Sequence, residues 1–306
     1  MVSTSGASGA HASILTVAPP NQQDADRPLF KARSDLVVLH VNVFDGKSDA
    51  VSALPRSAFR VFEDSREQEI TFFSDADVPV AVGLVIDNSG SMITRRKMVL
   101  AGGTAFAESS HPEDELFTII FNEHVRLGLP GELAFTQSRP MLQASLISHE
   151  PGGMTALYDA VVDGLDHLQM ATHQKRVLVV LSDGEDNASR RSKADMLHRA
   201  SRSDALVYTI WTGDLAGNVG NRGVLHDLAA RTGGLSYTPD SEAAVVSDFK
   251  TIAENIRRGY SIGYVPTNTN TDGEYRRVKV MVRVPGKNLS VRARDGYTAA
   301  GGPEAN

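Results

Sequence analysis

The chain has 306 residues, 41% hydrophobic and 22% charged, which is enough apolar material for a sizeable core and suits one large domain or two unequal ones. Its net charge of −6 argues against a general nucleic-acid binder, whose phosphate contacts need clustered Lys and Arg. With no cysteine, it cannot be a disulfide scaffold, a thiolate metal site or a cysteine nucleophile.

Residues 1–34, rich in Ser, Ala, Pro and Gln, read as a flexible lead-in. No stretch approaches the roughly 18 apolar residues of a membrane span, and the first residues lack the basic and apolar regions of a signal peptide. Ala10-His11-Ala12 nevertheless has the form of a signal peptide's end. The first predicted strand is DLVVLHVNVFD (35–45), whose alternation gathers Val37, Leu39, Val41 and Val43 on one face. FRVFED and QEITFFS follow with a turn at Ser65-Arg66, so residues 35–76 form an N-terminal β segment.

Over residues 77–259 the pattern changes to apolar strands separated by helical periodicity, the signature of a parallel sheet covered on both faces. VPVAVGLVID is almost continuously apolar and is expected at the centre of the sheet. A helix over Arg95–Ser110, the strand LFTIIFN with VRLGLP pairing beside it, and a helix near Arg139–Ile147 come next. GGMTALYDAVVDGLDHL gives a glycine turn and a helix with Leu157, Ala160, Val161 and Leu165 inward. KRVLVVLSDGED, ALVYTIW, VLHDLAART, LSYTP and a helix over Glu242–Arg258 complete the alternation. The clusters Arg95-Arg96-Lys97, Arg190-Arg191 and Arg257-Arg258 read as solvated helix faces. Residues 260–298 return to antiparallel β character in YSIGYVP, YRRVKVMVRV and LSVRAR, and 299–306 form a tail. The fold class is therefore α/β, a doubly wound, mostly parallel sheet, with a β-rich accessory unit in which the two chain ends complete one sheet assembly.

Two apolar strands run straight into hydroxyls and carboxylates. Asp87, Ser89 and Ser91 follow the first core strand, Asp183 follows the strand ending at Leu181, and Thr155 lies in the turn before a helix. In an open parallel sheet, ligands bind outside the carboxyl ends of the strands. Oxygen donors without His or Cys suit a hard cation such as Mg²⁺, with Mn²⁺ or Ca²⁺ as alternatives. Three neutral hydroxyls leave such an ion attractive to a carboxylate from a partner. Singly, each of these residues is more simply a helix or turn cap, and only the set of five points to metal. Glu185 and Asp186 read as solvated turn residues, Asn88 has no assigned role, and Tyr208 and Trp211 read as core or core edge.

D-x-S-x-S at 87–91, the threonine of GGMTALYDA and the aspartate of LSDGED together resemble the metal-ion-dependent adhesion site of von Willebrand factor type A domains. The flanking FRVFED, QEITFF, YSIGY and VRARDGY further resemble a bacterial type A-related family, mostly exported. The resemblance implies that Ser89, Ser91 and Thr155 offer hydroxyl oxygens to the metal while Asp87 and Asp183 act directly or through water. It also implies a protein partner bound through an Asp or Glu and an extracellular or periplasmic location, with a cytoplasmic one left open, while the charge speaks for no nucleic-acid partner. A second reading is an accessory or assembly subunit of an intracellular complex.

Enzyme readings fit less well, and none is expected. The third position of a D-x-D phosphatase motif is Ser89 here, and Ser91 lacks the second glycine of a G-x-S-x-G elbow. The nine histidines show no H-x-x-x-H spacing.

Overall fold

The structure, a computed structural model, describes residues 36–45, 50–131, 133–213 and 220–299. The lead-in with its Ala10-His11-Ala12 triplet, and residues 300–306 of the tail, lie outside the described residues.

Four strands open the described chain: β1 (Val37–Phe44), β2 (Phe59–Glu63), β3 (Arg66–Gln68) and β4 (Ile70–Ser74). β2 and β3 form a hairpin whose turn residues, Asp64 and Ser65, take φ of 45° and 69°, the positive values a tight two-residue hairpin turn uses. The turn thus lies one residue earlier than the sequence predicts. The single strand expected over QEITFFS is also divided, because at Glu69 the chain leaves the sheet of β2 and enters another. Buried Gln68 fixes this crossing by accepting the Thr267 N–H at 3.0 Å and donating to the Thr267 hydroxyl at 3.1 Å.

The chain then builds the α/β layers. These are β5 (Ala81–Asp87), α1 (Arg96–Ser109), β6 (Glu115–Phe121), β7 (Val125–Leu127), α2 (Arg139–Ser145) and α3 (Leu157–His167), followed by β8 (Arg176–Ser182), α4 (Lys193–Arg202), β9 (Leu206–Trp211), α5 (Arg222–Thr232), β10 (Ser236–Tyr237) and α6 (Glu242–Arg258). The sheet order is β10-β9-β8-β5-β6-β7, parallel except for β7, which runs antiparallel to β6. Every residue of β5 is buried, since helices cover both faces and leave no polar side for alternation. Val82, Leu84 and Ile86 share a core with α1, α2 and α6, whereas Ala81 and Val85 share one with α3, α4 and α5. The predicted doubly wound sheet is therefore present, with β5 and β8 as its central pair. The run from Val78 becomes a strand only at Ala81, and Val78 itself is exposed. Six residues of 3₁₀ helix, Gly90–Arg95, precede α1 and carry the loop out of β5.

Four more strands follow: β11 (Tyr260–Tyr264), β12 (Tyr275–Val282), β13 (Ser290–Arg292) and β14 (Gly296–Thr298). They interleave with the first four into two antiparallel sheets, β13-β1-β11-β4 and β14-β12-β2-β3, with a shared core that includes Leu39, Val41, Phe59, Val61, Tyr260 and Ile262. The chain ends complete each other as expected, but as two sheets rather than one. β14 has no counterpart among the predicted strands, because its three residues are marked only by their pairing with β12. The outer face of β1 reaches the α/β layers, where the Asn42 amide donates to the Tyr208 hydroxyl at 2.9 Å.

Candidate metal centre

β5 and β8 are adjacent and parallel, so the residues that end them come together. The sheet's winding reverses here: the chain passes from β5 to β6 on one side and later to β8 on the other. That reversal opens a crevice beyond the carboxyl ends of the strands. Asp87, Ser89, Thr155 and Asp183 are buried there, while Ser91 is exposed. The structure brings four of the five predicted residues into one hydrogen-bonded series. The Ser89 N–H donates to Asp87 Oδ1 at 2.9 Å, Ser89 Oγ lies 3.2 Å from Ser91 Oγ, and the Ser91 hydroxyl donates to Asp183 Oδ2 at 2.6 Å. Thr155 is drawn in through its loop, since the Gly90 N–H donates to the Gly153 carbonyl at 3.1 Å.

Burial pushes the Asp87 carboxyl up to about 6. Hydrogen bonds from Ser182 and Ser89 pull it down, and the nearby Asp183 charge raises it again. Two neighbouring carboxylates in a buried crevice are relieved by a positive charge or by protonation of one of them.

The donor set fits a small hard cation. Oxygens on adjacent corners of an octahedron with bonds of about 2.0–2.1 Å lie about 2.9 Å apart, and the pairs Ser91–Asp183 and Ser89–Ser91, at 2.6 and 3.2 Å, bracket that edge. Among the described residues, no group of three or more His, Cys, Asp or Glu side chains gathers to hold a metal. The five candidate residues differ from such clusters in that three of them offer hydroxyls.

Several residues that build this geometry have no motif signal. Ser182, the last residue of β8, donates to Asp87 Oδ2 at 2.6 Å and accepts the Gly184 N–H at 3.0 Å, so it orients the carboxylate from beneath. The Trp211 indole N–H donates to the Asp183 carbonyl at 2.8 Å, which gives a core-edge residue a positioning role. Asn88 donates from its amide to the Glu150 carbonyl at 2.9 Å and accepts the Gly152 N–H at its own carbonyl at 2.8 Å, tying the loop after β5 to the loop before α3. Asn187 Oδ1 accepts the Thr155 N–H at 2.8 Å. Asp186 is no free turn residue: its carboxylate accepts the Tyr158 N–H at 3.1 Å and the Ser189 hydroxyl at 2.5 Å, capping the start of α3. At Gly184, with φ of 83°, a Cβ would come within 2.3 Å of the Asn221 carbonyl oxygen, so only glycine turns the chain directly after Asp183.

No family model and no curated protein sequence matches the chain. Among solved structures, a von Willebrand factor type A protein from Catenulispora acidiphila is similar at a TM-score of 0.50 and 14% identity, covering 87% of this chain and 74% of that one. The chain has a von Willebrand factor type A-like fold. A share of 87% carries the likeness beyond the α/β layers into the sandwich strands. An aerotolerance-related membrane protein from Bacteroides fragilis is similar at 19% identity and a TM-score of 0.47, over 58% of this chain and 98% of that one. The von Willebrand factor domain of the type V pilus tip protein Mfa5 from Porphyromonas gingivalis is similar at 14% identity and 0.49, over 59% and 96%. Among the described residues, no helix of this type A-like fold is long and apolar enough to cross a membrane.

Proposed function

We propose that the carboxyl ends of β5 and β8 hold a divalent cation, Mg²⁺ or alternatively Mn²⁺ or Ca²⁺, and that the protein uses it to capture an Asp or Glu of a protein partner. The observation that carries this reading is the hydrogen-bonded series from Asp87 through Ser89 and Ser91 to Asp183, whose last two links bring oxygens to 3.2 and 2.6 Å. Bound there, the ion would supply an open coordination position for an anionic oxygen. The protein's own residues set where that position faces. Asp87, Ser89, Thr155 and Asp183 are buried and Ser91 is exposed, so a partner approaches over Ser91. Ile93 and Met154, 60% and 53% exposed, stand on the two loops joined at Gly90 and Gly153 and offer apolar contact beside the carboxylate. The site is one of recognition rather than catalysis. Resemblance to the mostly exported bacterial family supports work outside the cytoplasm, in the periplasm or beyond the cell.

The test is capture of partners in Mg²⁺ against EDTA, followed by the same experiment with variants. Asp87→Ala removes a charged donor and should abolish both metal binding and capture. Thr155→Ala removes a neutral oxygen and should weaken them. A partner retained equally in EDTA, or by Asp87→Ala, would show that the metal is not the contact. Turnover of generic phosphoesters with Mg²⁺ would instead make the site catalytic.

A further inference from the structure

A cavity of about 760 Å³ lies between the sandwich and the loops that lead into β8 and β9, at the end of the sheet opposite the candidate metal centre. Its mouth is apolar. Leu36, Phe72 and Val78 are 44%, 45% and 41% exposed, and all three line it. Leu36 and Phe72 close over Gly263, where an added Cβ would meet them at 3.1 and 3.0 Å. Large apolar side chains gathered at an opening are a common mark of a ligand site.

The inner wall is cationic. Arg294 donates from Nη2 to the Val38 carbonyl at 3.0 Å and lies 5.5 Å from the centre of the Tyr297 ring, yet its Nε is buried without a hydrogen-bond partner. Arg176 and Arg276 also have an unpartnered Nε, but neither lines this cavity. Lys175 belongs to the same wall, its Nζ donating to the Ile256 carbonyl, and His40 beside it is neutral. Burial, with Arg257 nearby, lowers Lys175 to about 8, and burial beside Lys175, Arg294 and Arg176 lowers His40 to about 3. Asp204 is the one carboxylate among the described lining residues, and its Oδ2 is taken by Arg176 at 2.8 Å. Its Oδ1 is buried without a partner. Arg294 and Lys175 set positive charge on the wall behind an apolar opening, which suits a ligand with an anionic head.

We propose that this cavity binds a small amphipathic carboxylate, with its apolar body against Leu36, Phe72 and Val78 and its head at the Arg294 guanidinium beside Lys175. A hydroxyl next to the head would face the Asp204 side of the wall. The test titrates the full chain in EDTA, which removes any dependence on the metal centre, with decanoate, 3-hydroxydecanoate, decanol and acetate by calorimetry. Both acids should bind at least about tenfold more tightly than decanol or acetate, because a charge-assisted hydrogen bond in a buried site exceeds that factor. Arg294→Gln should weaken both acids about tenfold or more. Phe72→Ala, at an exposed position that leaves the fold intact, should weaken them severalfold. Failure of both acids to bind, decanol binding as tightly as decanoate, or acid affinity unchanged in the two variants would overturn the proposal.

Discussion

At Asp87 a carboxylate is buried beside Asp183, with Ser182 and the Ser89 N–H as its donors. Without metal this arrangement opposes stability, since a buried charge is poorly compensated by neutral donors. Asp87→Asn keeps the shape and removes the charge. In EDTA its unfolding free energy should rise by about 1 kcal/mol, or about 2–4 °C in Tm, while the response to Mg²⁺ disappears. Calorimetric melting with and without Mg²⁺ checks both. Ser182→Ala strips Asp87 Oδ2 of its donor and the Gly184 N–H of its acceptor, and should lower stability by about 1–3 kcal/mol in urea unfolding. His40 gives a pH signature. It titrates near 6.5 when unfolded but at about 3 when folded, because burial disfavours its charged form. Between these values the unfolded chain binds more protons, so stability falls as pH drops below 6.5, by at most about 1.4 kcal/mol per unit. The difference in unfolding free energy between wild type and His40→Gln should be flat above pH 7 and change steadily from 6.5 towards 5.

Among the elements, the α1–α6 contact shows how packing overrides local preference. Gly102 lies inside α1, where alanine would favour the helix by about 1 kcal/mol. A Cβ there would lie 2.4 Å from the Phe249 ring, which is fully buried and packs on Phe106 with ring centres 6.0 Å apart. Overpacking of about 1–3 kcal/mol therefore outweighs propensity. Gly102→Ala should destabilise the protein, measured as a lower urea midpoint with unchanged slope. The helices and the long apolar strands were legible because burial on two faces writes a continuous apolar pattern into VAVGLVID and RVLVVLS. The break at Glu69 was not. REQE carries no strand-favouring residue of its own, and the residue at which the chain changes sheets is set by β2 on one side and β11, nearly two hundred residues later, on the other.

For the molecule as a whole, the sandwich is a joint product of both chain ends. Deleting residues 1–76 removes β1 to β4, which leaves β11 and β12 without their long partners and exposes Tyr260, Ile262 and Val278. Unpaired apolar edges aggregate, so this fragment should be insoluble or associated in light scattering. A soluble monomer with unchanged Tm would refute the shared sandwich. Metal bound to the folded state alone should stabilise the intact chain by about 2.7 kcal/mol at a hundredfold excess over Kd, seen as a rising Tm with Mg²⁺.

The order of layers was legible in the sequence, and so was the gathering of Asp87, Ser89, Ser91 and Asp183 at adjacent strand ends. Apolar runs, helical periodicity and hydroxyl-rich strand ends are all local properties of a few neighbouring residues. Tertiary pairing alone made the two terminal segments into two facing sheets, set Ser182 against the Asp87 carboxylate and Trp211 against the Asp183 main chain, and brought Leu36, Val78 and Arg294 to one cavity. Those outcomes depend on which distant strands pair and in what register. Hydrogen bonds such as Ser182 to Asp87, or Arg294 to Val38, join residues separated by long stretches of chain. No local pattern encodes such a partner, because the chain in between determines where the two residues meet.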